Sequence, residues 1–396
     1  MFSNTSRKED IDLEQREQFL HDIISIVGKN GVLTDKNDIE PFSHDEIALE
    51  TFNCMPLAVA KPASEEQVAG VVAVCAAAGV PVTARGGGTG LSAGCAPVEN
   101  GIVLSLERLD RVLAVDKANQ SITAEAGVTL AQLYAEVEAS GLFFPPHPGD
   151  ESAMVGGIVA ANAGGARAVK YGTVKQFVRG LKVVTGNGKL LQLGGNLLKS
   201  STGYHLIDLM IGSEGTLGII TQVTFSLLPP PGAIETLVVP FETVDEAIEA
   251  VPAIMATGIV PFAVEFIEHS VITYVEKLLN KTWPAKRGEA SLLIILDGPD
   301  EEQVLLTAEK IGEELEGRGA LEILLAEGKQ RQAEILELRS MIYEALRPGT
   351  VELFDVCVPR SEIVGHVRFV HQLEKKYGVT LPTFGHAADG NVRSEE

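Results

Sequence analysis

Apolar and polar positions along the chain switch between a helical and an extended period. Across Leu13 to Val27 apolar side chains recur at Phe19, Leu20, Ile23, Ile24 and Val27, the stripe of a packing helix, and Gly28 stops it. The residues before it, Arg7, Lys8, Glu9 and Asp10 among them, read as a solvated end without function. From Leu57 the order is strand, helix, strand: LAVAK, then Ser64-x-x-Gln67 as a capping box ahead of Val68, Val71, Val72 and Cys75, then Val80 to Ala84. Ile102 to Leu106 and Ala114-Val115 are extended, and Thr129-x-x-Gln132 opens a short helix that Gly141 closes. Leu181 to Thr185 and Leu190 to Leu193 flank Gly186-Asn187-Gly188, a hairpin turn, and IITQVTF is a further strand. This half of the chain is α+β.

After Pro229-Pro230-Pro231 the pattern restarts. Glu235 to Phe241 is strand-like, Thr243-x-x-Glu246 caps a helix to Thr257, and Phe262 to Ile267 and SLLIILD are strands. Asp300 opens an acidic helix and LEILLA is another strand. The order βαββαβ with one extra helix is the ferredoxin-like split arrangement. Three parts are expected: a helical segment over 1–50, a domain over 51–231 and a second domain over 232–396.

The charge balance narrows the partners. Lysine and arginine number 32 against 54 acidic residues, a net charge of −22, and no basic stripe opposes the repulsion from phosphate backbones. Nucleic acid is therefore not expected as a partner. The N-terminus lacks the apolar core of a signal peptide and no apolar run reaches the roughly 18 residues of a membrane span, so a cytoplasmic location is expected. Cys54, Cys75, Cys95 and Cys357 lack CxxC spacing and read as buried free thiols, not a cluster motif or a disulfide scaffold.

Pro81 to Gly94, PVTARGGGTGLSAG, packs five glycines into nine residues after an extended run. Glycines let backbone approach a ligand, and consecutive N–H groups form an anion-binding nest, so a pyrophosphate loop is one reading. Gly88, Gly90 and Ala93 also fit G-x-G-x-x-G/A, but that fingerprint needs a helix next, which GCAPVENG cannot supply. A nucleoside-triphosphate loop would need Gly-Lys-Ser/Thr where Leu91 and Ser92 stand. A permissive turn between strands remains the alternative. A second glycine-rich stretch runs from Phe144 to Gly172, with PPHPGD and the pairs Gly156-Gly157 and Gly164-Gly165. Two such stretches suggest a long ligand touched at several points, or tightly packed turns.

RGGGTGLSAG, PPHPGD, GGIVAANAGG, YGT and GSEGTLGIIT, in that order and spacing, resemble the FAD-linked oxidase family, in its glycolate oxidase flavoprotein subunit and D-lactate dehydrogenase branch. The resemblance spans residues 40 to 396. It implies an α+β fold: a two-subdomain FAD-binding domain of the vanillyl-alcohol oxidase type over 51–231, then a ferredoxin-like cap over 232–396 that completes the substrate site. It further implies that Arg85, Gly86, Gly87, Gly88, Thr89, Gly90, Leu91 and Ser92 form the pyrophosphate loop, with the N–H groups of Gly86 to Leu91 on the diphosphate. Pro146, Gly149, Asp150, Gly157, Asn162, Gly165 and Tyr171 match positions around FAD, and Glu214, Gly218 and Ile219 positions near its adenine half. Thr89 stands where some relatives attach the flavin through a histidine, which implies noncovalent FAD.

Arg339, in AEILELRSMIYEALR, matches the family arginine that holds the substrate carboxylate; the alternative is a surface arginine beside Glu334 and Glu337. Asp355, in DVCVPR, reads as a support for the fold. GHAADGN resembles the motif in which two histidines, seven apart, bind a divalent metal or lie beside the substrate hydroxyl. His386 matches the first; Arg393 stands at the second and cannot ligate a metal. Family members continue past the position of Glu396 through a Glu-His element, so the cap is expected to be C-terminally incomplete. The implied activity is oxidation of a D-2-hydroxy acid, of the D-lactate or glycolate type, to the 2-oxo acid. Arg339 orients the carboxylate, a histidine takes the hydroxyl proton, and hydride passes to flavin N5. Electrons then go to an external acceptor: an iron–sulfur subunit, an electron-transfer flavoprotein or a quinone. The alternative is an FAD-binding electron-transfer subunit or a degenerate flavoprotein without turnover, favoured by Arg393 and the early stop. An enzyme for sugar or aldonolactone substrates is disfavoured by GHAADGN.

Overall fold

The amphipathic stripe near the N-terminus forms a helix over Leu13–Val27 (α1), with Phe19, Ile23 and Val27 buried. Gly28 leaves it at φ 79°, a left-handed conformation that a side chain would strain. The computed structural model describes residues 13–47 and 52–395, so Arg7 to Asp10 lie outside the described residues. The chain divides into two units and visits them alternately. The first takes Met1–Phe144, Asp150–Ala163 and Val174–Leu228; the second takes Pro145–Gly149, Gly164–Thr173 and Pro229–Glu396.

In the first unit, Val32–Leu33 (β1), the single turn Lys36–Ile39 (α2), Ala58–Ala60 (β2), Glu65–Ala78 (α3), Val82–Arg85 (β3) and Ile102–Ser105 (β4) build a sheet of order β1-β2-β4-β3. Its last three strands are parallel, because α3 is the crossover that β2 needs to reach β3. Only half of the capping box expected at Ser64 forms. The Ser64 hydroxyl accepts from Gln67 N at 3.3 Å, but the Gln67 side chain accepts from Ala63 N at 2.7 Å. Val112–Asp116 (β5) and Ser121–Glu125 (β6) follow, and Thr129 makes both bonds of its box at Leu130–Ala139 (α4).

The glycine-rich stretch from 144 to 172 is more ordered than its composition suggests, folding into Val155–Ala160 (α5) and, in the second unit, Ala168–Tyr171 (α6). Val178–Thr185 (β7), Leu190–Gly194 (β8), Leu206–Met210 (α7) and Gly218–Ser226 (β9) complete an antiparallel sheet of order β5-β6-β9-β7-β8. Gly188, at φ 75°, closes the β7–β8 turn by donating to Thr185 O at 2.8 Å. The apolar face of α3 packs Val68, Val71, Val72 and Cys75 with Ala58, Ala60, Ile102 and Leu104 of one sheet and with Val184 and Ile219 of the other. All four cysteines are free, but only Cys75 is buried, which pushes its thiol up to about 12; Cys54 and Cys95 are half-buried and Cys357 is exposed, correcting the expectation of four buried thiols.

The second unit is one antiparallel sheet covered on both faces. Ala233–Phe241 (β10), Val244–Ala256 (α8), Ala263–Glu268 (β11), His269–Leu279 (α9), Ala290–Gly298 (β12), Glu301–Glu316 (α10) and Leu324–Leu325 (β13) come first. Gly328–Ser340 (α11), Ile342–Leu346 (α12), Leu353–Cys357 (β14), Ile363–Tyr377 (α13), Thr383–His386 (β15) and Asn391–Glu395 (β16) follow. The order β13-β10-β12-β11-β15-β16-β14 contains the ferredoxin-like set, with α8 and α10 as its crossing helices and α9 as the extra one. LEILLA pairs only over Leu324–Leu325, shorter than the strand expected there.

Alternation along each strand divides the apolar positions between two layers. Leu237, Val239, Val264, Phe266, Leu292 and Ile294 pack with residues of α8, α10 and α13, while Val238, Ile267, Leu293 and Phe384 pack with residues of α9, α11 and α12. Burial on both faces explains why SLLIILD is a continuous apolar run. Phe266 is 1% exposed in the first of these layers, so Phe266→Ala should cost about 3–5 kcal/mol of stability. Urea unfolding followed by the fluorescence of Trp283, the chain's single tryptophan and buried in the same unit, would measure it.

Candidate active site

The alternation that makes the core also buries one acid. On β11 the face that carries Ile267 also carries Glu265, which is 1% exposed. Register then decides its neighbour: across β11 and β15, Ile267 pairs with Phe384 and Glu265 with His386. His386 Nδ1 lies 2.6 Å from Glu265 Oε1. From α11, Arg339 donates Nε to Glu265 Oε2 at 2.8 Å and Nη2 to the same oxygen, with its guanidinium 5.4 Å from the Phe384 ring centroid. Burial would raise the Glu265 carboxyl, but the Arg339 charge, the His386 charge and their hydrogen bonds hold it down at about 2, against 4.5 for an ordinary glutamate.

Arg339 is therefore not a surface arginine beside its helical neighbours. Glu334 pairs with Arg331 at 3.1 Å and Glu337 with Lys281. Glu265 does not stand out in the sequence; its signal is an acid at the centre of AVEFIE, between apolar neighbours in a strand whose every residue is buried.

The chain's two short passages through this unit gather further polar groups. His147 is pushed down to about 4 by burial and by the Arg167 charge, while the Glu265 charge acts the other way. Arg167 stacks 4.9 Å from the Phe262 ring, and Tyr171 meets that ring edge-on at 5.8 Å. The Tyr171 hydroxyl lies 3.4 Å from Asp297, which also pairs with Lys170; burial and Asp297 push the phenol up to about 12. Gly165 lets the two passages meet, because at φ 147° a Cβ there would stand 1.9 Å from the His147 carbonyl oxygen. Pro146, Gly149, Gly165 and Tyr171 all belong to this unit.

Arg393 pairs with Asp355 at 3.0 Å, and Asn391 Nδ2 donates to Asp355 Oδ1 at 2.5 Å, so Asp355 anchors β16. No group of three or more His, Cys, Asp or Glu side chains suited to a metal occurs among the described residues. The guanidinium at 393 cannot ligate a metal, and Nδ1 of His386 is engaged by Glu265.

The glycine loop lies in the first unit. The Arg85 guanidinium lies against Gly88 with its N–H groups already engaged, donating to His44 O at 2.5 Å and to Pro41 O at 3.2 Å, so for a ligand at the loop Arg85 offers its backbone. Gly88 sits at φ 77°, and a Cβ on it would be 2.2 Å from Arg85 Nη2. A Cβ on Gly87 would stand 3.0 Å from Ser152 O and one on Gly86 3.8 Å from Gly157 Cα, so the loop lies against the start of α5. Among the described residues, no N–H from Gly86 to Leu91 donates to a backbone carbonyl, and a Cβ on Gly157 would meet nothing within 4 Å. Thr89 and Leu91 are half-buried, and Gly90 and Ser92 are exposed.

Other positions matched to the cofactor have local roles. Asp150 caps a turn through Ser152 N at 2.8 Å, and Asn162, at φ 49°, accepts from Lys175 N at 3.2 Å. Glu214 N donates to Ala160 O at 2.9 Å, joining the end of α5 to the 212–214 turn. Gly218 and Ile219 serve the sheet core: a Cβ on Gly218 would lie 2.6 Å from Val183, and Ile219 packs with α3. Two buried polar atoms of this unit, Asp45 Oδ2 and Ser213 Oγ, have no partner among the described residues. Asp45 Oδ2 would be 3.4 Å from a Cβ on Gly90.

Open N–H groups at the loop and space over Gly157 fit a phosphate-bearing cofactor such as FAD. The comparisons give the same class. Residues 56–194 match the FAD binding domain and residues 230–393 the C-terminal domain of FAD linked oxidases. The chain belongs to the FAD-linked oxidase family. It is 42% identical to a D-lactate dehydrogenase of Archaeoglobus fulgidus, over 84% of this chain and 74% of that protein. It is 38% identical to a D-lactate dehydrogenase of Anaerostipes hadrus, over 89% and 76%, and 35% identical to glycolate oxidase subunit GlcD of Bacillus subtilis, over 89% and 74%. Among solved structures, p-cresol methylhydroxylase with substrate bound matches with a TM-score of 0.80 at 19% identity, over 98% of this chain and 84% of that one. The 4-ethylphenol oxidase of Gulosibacter chungangensis matches at 0.82 and 18%, with the same coverage. Both share the vanillyl-alcohol oxidase type of fold.

Two measurements follow from this geometry. Gly157→Leu should leave the melting of the FAD-free protein unchanged yet weaken FAD binding about tenfold or more, some 1.4 kcal/mol, by filling the space over the loop; FAD titration reads it. Because the folded value of Glu265 is depressed, its ionic contribution is complete above pH 4.5 and is lost as pH falls toward about 2. An acid titration of Trp283 fluorescence should show the second unit loosening in that window, and equal stability at both ends would contradict the pairing.

Proposed function

We propose that the protein oxidises a D-2-hydroxy acid of the lactate or glycolate type to the 2-oxo acid with noncovalently bound FAD. The observation that carries this reading is the buried cluster in which Glu265 holds Arg339 and His386 together, in a chain whose relatives are named D-lactate dehydrogenase and glycolate oxidase subunit. FAD, when bound, supplies a two-electron acceptor at flavin N5. The backbone of Arg85 to Ser92 and the open space at Gly157 would hold it, and Thr89 offers no imidazole for a covalent bond.

Arg339 meets Glu265 through Nε and Nη2, which leaves the Nη1 end for the substrate carboxylate. His386 Nε2 takes the hydroxyl proton as the C2–H bond breaks with its electron pair, so the carbinol carbon becomes a carbonyl. No step is assigned to a metal ion. The two electrons then leave for an external acceptor, an iron–sulfur subunit, an electron-transfer flavoprotein or a quinone. A cytoplasmic setting is proposed on the four free cysteines; among the described residues no helix is long and apolar enough to cross a membrane. A second reading, an FAD-binding flavoprotein without turnover, is favoured by the Arg393–Asp355 pair at the place of a second histidine.

The test is the visible spectrum of the purified chain, then anaerobic addition of D-lactate, D-glycerate or glycolate. Bleaching is expected, acid precipitation should release the yellow cofactor, and Arg339→Lys should raise KM about 10- to 100-fold at unchanged FAD content, since a lysine keeps the charge without the planar fork. Flavin that stays oxidised with every acid favours the second reading; a chain that takes up no FAD overturns both.

A further inference from the structure

We infer that Glu265 is the positioning residue of the proposed reaction, one carboxylate that fixes the tautomer of His386 and the end of Arg339 presented to substrate. The inference rests on the dehydrogenase reading. An ionised carboxylate only accepts hydrogen bonds, so Nδ1 of His386, 2.6 Å from Oε1, carries a proton, and in the neutral form of the ring the lone pair is left on Nε2. Nε2 has no partner among the described residues. When it takes the hydroxyl proton, the imidazolium forms against a carboxylate already in place and already hydrogen-bonded. The substrate O–H bond breaks, the proton stays on Nε2, and Glu265 remains ionised throughout.

The other oxygen acts on Arg339. Oε2 accepts from Nε and Nη2, and Phe384 lies against the guanidinium at 5.4 Å, so the fork is held against rotation and Nη1 is left outside the pair. The surroundings argue against a role in packing alone. Glu265 shares its face with Val238, Ile267 and Leu293, where an apolar side chain would bury without a partner, and a buried ion pair is often no more stable than an apolar replacement.

Stopped-flow bleaching of the FAD-loaded protein by a D-2-hydroxy acid tests the inference. Glu265→Gln should load FAD like wild type and bleach about 100-fold or more slowly. Combined with His386→Ala it should cost clearly less than the product of the two single losses, because the two changes share the His386 function and only the hold on Arg339 is lost in addition. A wild-type rate in Glu265→Gln, or losses that multiply in the double variant, would overturn it. Should Glu265→Gln fail to fold, ¹⁵N NMR of the wild-type histidines, with His386 assigned from His386→Ala, decides: a protonated Nδ1 and bare Nε2 are expected, and the reverse overturns the inference. That spectrum needs no turnover. A wild type that no hydroxy acid bleaches therefore sinks the dehydrogenase reading while the ring nitrogens still report on Glu265.

Discussion

A carboxylate removed from water must find positive partners. An unpaired ionised side chain costs several kcal/mol in a protein interior, and removing one partner of a buried pair costs about 3–5 kcal/mol. Glu265 imposes that demand at the middle of the second sheet, and three elements answer it: β11 supplies the acid, β15 the histidine by register, and α11 the arginine from above. The reactive groups are thus placed by rigid structure. A slip of one residue between β11 and β15 would send His386 to the opposite face and leave the acid half-paired.

The first unit meets a different constraint. Its loop presents bare N–H groups, with a backbone conformation open to glycine at Gly88 and a close approach to Ser152 O at Gly87. Arg85, whose charge would suit a diphosphate, is instead engaged by the carbonyls of Pro41 and His44. The cation stiffens the loop's approach from behind and leaves recognition to the backbone.

Much of this was legible along the chain because it depends on local chemistry. The α1 stripe, the box at Thr129, the β7–β8 turn and the ferredoxin-like order all follow from short-range pattern, and Arg339 and His386 stood out in their motifs. What was hidden depends on long-range placement. Glu265 is 74 residues from Arg339 and 121 from His386, and nothing near it in sequence tells which helix or strand it meets. The helix α13 was not anticipated, although Ile363, Val367 and Val370 recur at helical spacing and are buried. The direction of Arg85 depends on carbonyls 41 and 44 residues away.

The alternating path of the chain bears on how the protein can be made and divided. The short stretches 145–149 and 164–173 leave the ribosome well before the strands they join, so the second unit closes only after the rest of its sheet has been synthesised. A gene cut at Pro229, where the sequence pattern restarts, would separate Asp297 from Lys170 and strand a buried acid without its cation. The two units are therefore not exchangeable modules, and recombination at that boundary yields a chain that lacks part of its own second domain.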